Sequence, residues 1–140
     1  MTPWRFRSEG PRSAKATAAR TRHLHVAVQS LITACDARSI RLVKRVLHAN
    51  ATLLVDGGGG IPAPRRATRG AVSVAAALVN TISTYPDVTL TEHQVNALPG
   101  IVMRADGRIV GVISVMLRCR AISAIWVVLN PEKLTHWNAG

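Results

Sequence analysis

Between residues 88 and 129 the chain carries four segments rich in Val, Ile, Leu and Thr, at 88–96, 101–105, 108–117 and 121–129. Side chains of this kind pack well on a pleated surface and favour extended backbone. Asp106-Gly107 separates the second segment from the third, and such a pair supplies the two positive φ angles that a type I′ hairpin turn needs. A four-stranded antiparallel meander is therefore expected. Its last two strands are apolar at almost every position, from Ile109 through Val110, Val112 and Ile113 to Val115, and from Ile122 through Ile125 to Val128. A sheet wetted on one side would alternate, so these strands require cover on both faces. Helices can supply one cover; a partner, including a second copy of the chain, would supply part of the other.

Helical periodicity lies upstream. Leu24, Ala27, Val28, Leu31 and Cys35 recur at the spacing of one helix face, which makes Cys35 a core residue. A second helix is expected over 39–49, with Ile40, Val43 and Leu47 on one face and Arg41, Lys44, Arg45 and His48 on the other. A short strand over 51–56 then runs into four consecutive glycines, 57–60, and a minor edge strand follows at 66–69. A third helix spans 71–84, buries Val74, Ala75, Leu78 and Ile82, and stops at Pro86. Met103 and Met116 read as core, and Pro131 opens a short terminal helix over 132–137.

With 140 residues there is room for one domain. The formal charge of +11 points toward acidic partners. Residues 1–22 hold Arg5, Arg7, Arg12, Lys15, Arg20 and Arg22 against Glu9, broken by Pro3, Gly10 and Pro11, and are expected to form a disordered basic arm before a domain at 23–140. With 4% aromatic residues the chain lacks stacking platforms, so any nucleic-acid binding, through the arm or through Arg41, Lys44 and Arg45, should be nonspecific. Cys35 and Cys119 have no metal-ligand or disulfide spacing, and no metal or cofactor is expected. No apolar run approaches the ~20 residues of a membrane span, and residues 1–22 lack a secretory signal, so a cytoplasmic protein is expected.

The order α-α-β-β-α-β-β-β-β is similar to the cone-shaped α+β barrel of the nuclear-transport-factor-2-like superfamily, which includes ketosteroid isomerases and SnoaL-like polyketide cyclases. Two motifs sharpen the likeness. The strand ending in Asp56-Gly57-Gly58-Gly59 and the closing Asn130-Pro131-Glu132-Lys133-Leu134 resemble those of the SnoaL-like extension on one group of extracytoplasmic-function sigma factors. Pro62, Pro64, Arg65, Arg69-Gly70, Val95-Asn96, Pro99-Gly100, Gly107 and Trp126-Val127-Val128 also look like that family.

The resemblance implies a non-catalytic module that folds against a sigma factor, or another polymerase component, and tunes it. Asp56, the glycines 57–59 and residues 130–134 would form the contact, and Lys133 could reach Asp56. Residues 1–22 are too few for the domains that melt and read a promoter, so the chain is expected to lack them. It departs from the family at Arg118-Cys119-Arg120, where the last hairpin normally carries Gly or Asp, and at Arg41, Lys44 and Arg45. Two alternatives stay open: an inactive remnant of a sigma gene, or an isomerase-like or cyclase-like enzyme. Catalysis in such a cone needs a base, for which Asp56 and His93 are the candidates, and a hydrogen-bond donor, for which Tyr85, Asn96 and Trp126 are.

Overall fold

The computed structural model describes residues 11–57 and 67–138. The elements are α1 (Pro11–Asp36), α2 (Ile40–Val46), β1 (Leu47–Asp56), β2 (Thr68–Arg69), α3 (Ala71–Ser83), β3 (Thr89–Val95), β4 (Leu98–Ala105), β5 (Arg108–Arg118), β6 (Ala121–Val128) and α4 (Pro131–Asn138). This is the expected order. Several boundaries differ from the sequence reading: β1 begins at Leu47 and β4 at Leu98, each earlier than expected, and two helix ends change where charge lies. Helix α1 begins at Pro11, so residues 11–22 of the expected disordered arm are helical, while residues 1–10 lie outside the described residues. Pro11 suits a first-turn position, where its missing N–H costs nothing. Helix α2 ends at Val46, which leaves His48 in β1 with its Nδ1 accepting from the Asn50 amide, 3.0 Å away. The basic face of α2 therefore ends with Arg45.

Six strands form one open, curved sheet in the order β2-β1-β6-β5-β4-β3. β3 to β6 make the antiparallel meander, and β1 joins it parallel to β6, with Asp56 opposite Val128. Register shifts at Met103/Arg104, Met116/Leu117 and between Leu47 and Thr52 bend the strands, as extra residues in a ladder do.

One face of the sheet packs on the first three helices. Leu24, Val28 and Leu31 of α1, Val43 of α2 and Val74, Leu78 and Ile82 of α3 meet Ile101, Met103, Ile113, Ile122 and Ile125 in a continuous core. Burial of this many aliphatic side chains, each worth about 1.5–3 kcal/mol, is the main stabilising term. The other face has a smaller cluster, where Leu134, with Trp137 beside it, covers Val95, Val102, Ile109 and Val112. Both faces of β5 are thus covered at its start, as its unbroken apolar run demanded. Met116 departs from the core reading: it is 67% exposed. It lies on the outer face opposite Ala124, toward the far end of β5 from α4. Trp126, 51% exposed, shares that uncovered stretch of the outer face.

Among the described residues no helix is long and apolar enough to cross a membrane, and no group of three His, Cys, Asp or Glu side chains could hold a metal ion. Cys35 is buried, and burial, with the Asp36 charge beside it, pushes its thiol up to about 12. It is a packed, unreactive thiol, as its place in the α1 stripe implied.

Candidate functional site

The two motifs meet at one end of the sheet. Parallel pairing brings the ends of β1 and β6 together, and the Leu129 amide donates to the Asp56 carbonyl across 2.7 Å. The chain then turns into α4. Asn130 Oδ1 accepts from the Glu132 amide at 3.0 Å, Pro131 occupies the first turn, and Glu132 faces the helix N-terminus with the favourable sign. This start fixes the phase of α4. Leu134 points into the small cluster on the sheet, and Lys133 Nζ reaches Asp56 Oδ2. The expected neighbours are therefore in contact although 77 positions apart.

Asn138 secures the other end of α4, and nothing in the sequence reading singled it out. Its Oδ1 accepts from the Ile109 amide at 2.9 Å, and its Nδ2 donates to the Ile109 carbonyl at 3.0 Å. One side chain thus stands in for a strand neighbour at the start of β5. Such a role depends on register across 29 residues and leaves no local motif.

Of the proposed contact residues, Asp56 and Lys133 form a rim pair whose side chains are 22% and 58% exposed. Gly57 is buried, and Gly58 and Gly59 lie outside the described residues, as do Pro62, Pro64 and Arg65. Arg41, Lys44 and Arg45 lie on α2, all three exposed; Ser39 caps the start of this helix by accepting from the Leu42 amide at 3.1 Å.

The catalytic candidates do not converge. His93 is exposed on β3, opposite Gly100, on the sheet face away from Glu92. Asn96 is exposed in the β3–β4 turn at φ 53°. Tyr85 is half-buried after α3 and lines a cleft of about 330 Å³ with Ala105, Arg108, Leu129 and Asn138, in which neither Asp56 nor His93 takes part. Among the described residues no polar or charged residue is buried. The space between helices and sheet is filled by aliphatic side chains, where a cone-type enzyme would need a carboxylate and a donor.

Glu92 makes a polar bridge from helix to sheet. His25 Nδ1 lies 2.8 Å from its Oε2, and Gln29 Nε2 donates to its Oε1 at 2.7 Å. Partial burial pushes this carboxyl up, but the hydrogen bonds from Gln29 and His25 and the His25 charge together outweigh that and hold it below its ordinary value of 4.5.

No protein-family model matches the chain, and no curated protein matches it. Solved structures do. The extracytoplasmic function sigma factor SigJ of Mycobacterium tuberculosis is similar at 22% identity and a TM-score of 0.62, over 90% of this chain and 51% of that one. This chain therefore spans about half the sigma factor's length. A steroid delta-isomerase of Pseudomonas aeruginosa is similar at 16% identity and a TM-score of 0.55, over 79% of this chain and 82% of that one. A SnoaL-like family protein of Agrobacterium tumefaciens matches at 16% identity and a TM-score of 0.55, over 77% of this chain and 97% of that one. The fold is thus the cone-shaped α+β fold of nuclear-transport-factor-2-like and SnoaL-like proteins, here with an open sheet.

Proposed function

We propose that the domain is a non-catalytic regulatory module that acts in the cytoplasm by docking a region of an extracytoplasmic-function sigma factor. The contact surface would be Asp56, the glycine loop 57–59 and the 130–134 motif, in which Gly57 and Leu134 are buried and support the surface from beneath rather than touch the partner. The observation that carries this reading is the Lys133–Asp56 ion pair at the domain rim, which joins the two motifs into one surface. A glycine-rich loop lets a partner's backbone approach closely, and the Asp56 carboxylate can accept peptide N–H groups or pair with Arg. Likeness to half of a sigma factor supports the choice of partner. The aliphatic interior argues against the isomerase or cyclase alternative.

The test is capture of an immobilised extracytoplasmic-function sigma factor by the purified chain. Exchanging Asp56→Ala together with Lys133→Ala should weaken capture by tenfold or more, the scale of about 1.4 kcal/mol at a contact, with the melting temperature nearly unchanged. Undiminished capture by this double variant would remove the docking surface, and turnover of a ketosteroid by the wild-type chain would restore the enzyme.

We further propose that the outer face near Met116 and Trp126 supports self-association. Because α4 already covers the Val102–Val112 region, the contact should be smaller than the apolar run of β5 and β6 implied. Sedimentation should show a dimer that Trp126→Lys returns to monomer; a wild-type monomer at tens of micromolar would refute it.

A further inference from the structure

The departures at Arg118-Cys119-Arg120 and along α2, far apart in sequence, come together in space. Cys119 and Arg120 are the central residues of the β5–β6 turn, at φ 53° and 67°. Neither is Gly, Asn or Asp, and left-handed backbone costs other residues roughly 1–2 kcal/mol each. The turn forms one wall of a cleft of about 470 Å³, opposite His23 of α1 and Arg45 of α2. Two guanidiniums and an imidazole from three separate elements thus share one cavity, and no carboxylate lines it. The ion pairs found among the described residues, Lys133–Asp56 and His25–Glu92, involve neither Arg45 nor Arg120. The remaining lining is mostly aliphatic and includes Val26 and Val46.

An apolar surface that includes Val26, 62% exposed, beside two guanidiniums with no carboxylate among the lining residues complements a molecule with an apolar body and an anionic head. The volume falls within the range of small-molecule sites, roughly 300–1,000 Å³. We propose that this cleft binds a small amphiphilic anion, its carboxylate or phosphate held between Arg45 and Arg120 and its hydrocarbon body against Val26 and Val46. The site uses none of the residues of the sigma-docking surface, so either reading can fail without the other.

Cys119 gives a local readout. Its thiolate attacks one sulfur of dithiobisnitrobenzoate, forms a mixed disulfide and expels thionitrobenzoate, which is counted by its colour. Cys35, buried with its thiol pushed up to about 12, stays silent in the folded chain. Octyl phosphate below its micelle concentration should slow this reaction by tenfold or more, while equal concentrations of inorganic phosphate or octanol should not. Arg45→Gln and Arg120→Gln should each weaken octyl phosphate protection by roughly tenfold, the scale of one charge-assisted hydrogen bond. Arg45→Lys should retain part of it, and Arg41→Gln, on the same helix outside the cleft lining, should leave it unchanged. Equal protection by inorganic phosphate, equal protection by octanol, or protection that survives both glutamine variants would each overturn the proposal. So would protection by a short DNA duplex but not by octyl phosphate, which would make the patch a nucleic-acid contact.

Discussion

The turns at the two ends of β5 have nearly the same backbone and opposite composition. Asp106 and Gly107 sit at φ 52° and 73°, and Cys119 and Arg120 at 53° and 67°. The first pair is what a type I′ turn selects; the second is what it normally avoids. Their surroundings differ as well. The Asp106 end lies near α4, and its apolar residues are covered by Leu134 and Trp137. The Cys119 end opens on the cleft beside α1 and α2. A turn built from favourable residues needs no explanation beyond the hairpin, whereas strain held in an otherwise well-packed domain marks a place where side-chain identity serves something other than folding.

The largest expected effect lies at the covered end. Leu134→Ala would strip α4 of its buried anchor on Val102, Ile109 and Val112, and should cost about 2–5 kcal/mol in chemical denaturation. A loss below about 1 kcal/mol would mean that α4 contributes little to the fold, and the contrast between a covered and an open end would lapse.

Next comes the turn itself. Replacing Cys119 and Arg120 by Asn and Gly should stabilise the domain by about 1–2 kcal/mol, because the new residues accept positive φ without strain. Gly107→Arg at the other end should destabilise by about 1 kcal/mol for the converse reason. If both changes proved neutral, the two turns would be energetically equivalent and the strain argument would fail.

These elements also show what was legible in sequence. The meander, its Asp106-Gly107 turn and the buried stripes of α1 and α3 follow from residue type and spacing within a dozen positions, where local preference and tertiary packing agree. The Asp56–Lys133 contact was legible only through the resemblance, since no local rule pairs residues so far apart. Met116 was misread because it shares the outer face of β5 with Val112, which α4 covers only near the start of the strand, and apolar character alone does not reveal how far that cover extends. Residues 11–22 were misread because charge and an early proline outweighed their capacity to extend α1. The Asn138 clamp and the Arg45–Arg120 cleft depend on elements meeting in three dimensions, and nothing in their neighbourhoods announces it.

A smaller effect is expected at the strand ends. The Lys133–Asp56 pair is partly solvated, so a double-mutant cycle with alanine should give a coupling of about 0.2–1 kcal/mol that weakens in high salt. Coupling of several kcal/mol would make the pair a structural brace rather than a contact surface held at the rim.

The smallest effect is a pH dependence at the seam between α1 and β3. Partial burial raises the Glu92 carboxyl, but Gln29 and His25 together outweigh it and hold the group below its ordinary value in the folded chain. A depressed folded value means that the carboxylate stabilises the native state above the unfolded value of about 4.5, and that this contribution disappears as pH falls through the lower folded value. Because His25 is 57% exposed, solvent screening should limit the effect to about 0.5 kcal/mol or less. Wild type should therefore exceed Glu92→Gln slightly in stability at pH 6, with the two converging as the solution is acidified below 4.5. A gap that stayed constant through the whole acid limb of the stability profile, until the fold itself was lost, would show that the substitution removed packing rather than charge, and that the bridge from α1 to the sheet does not depend on ionisation.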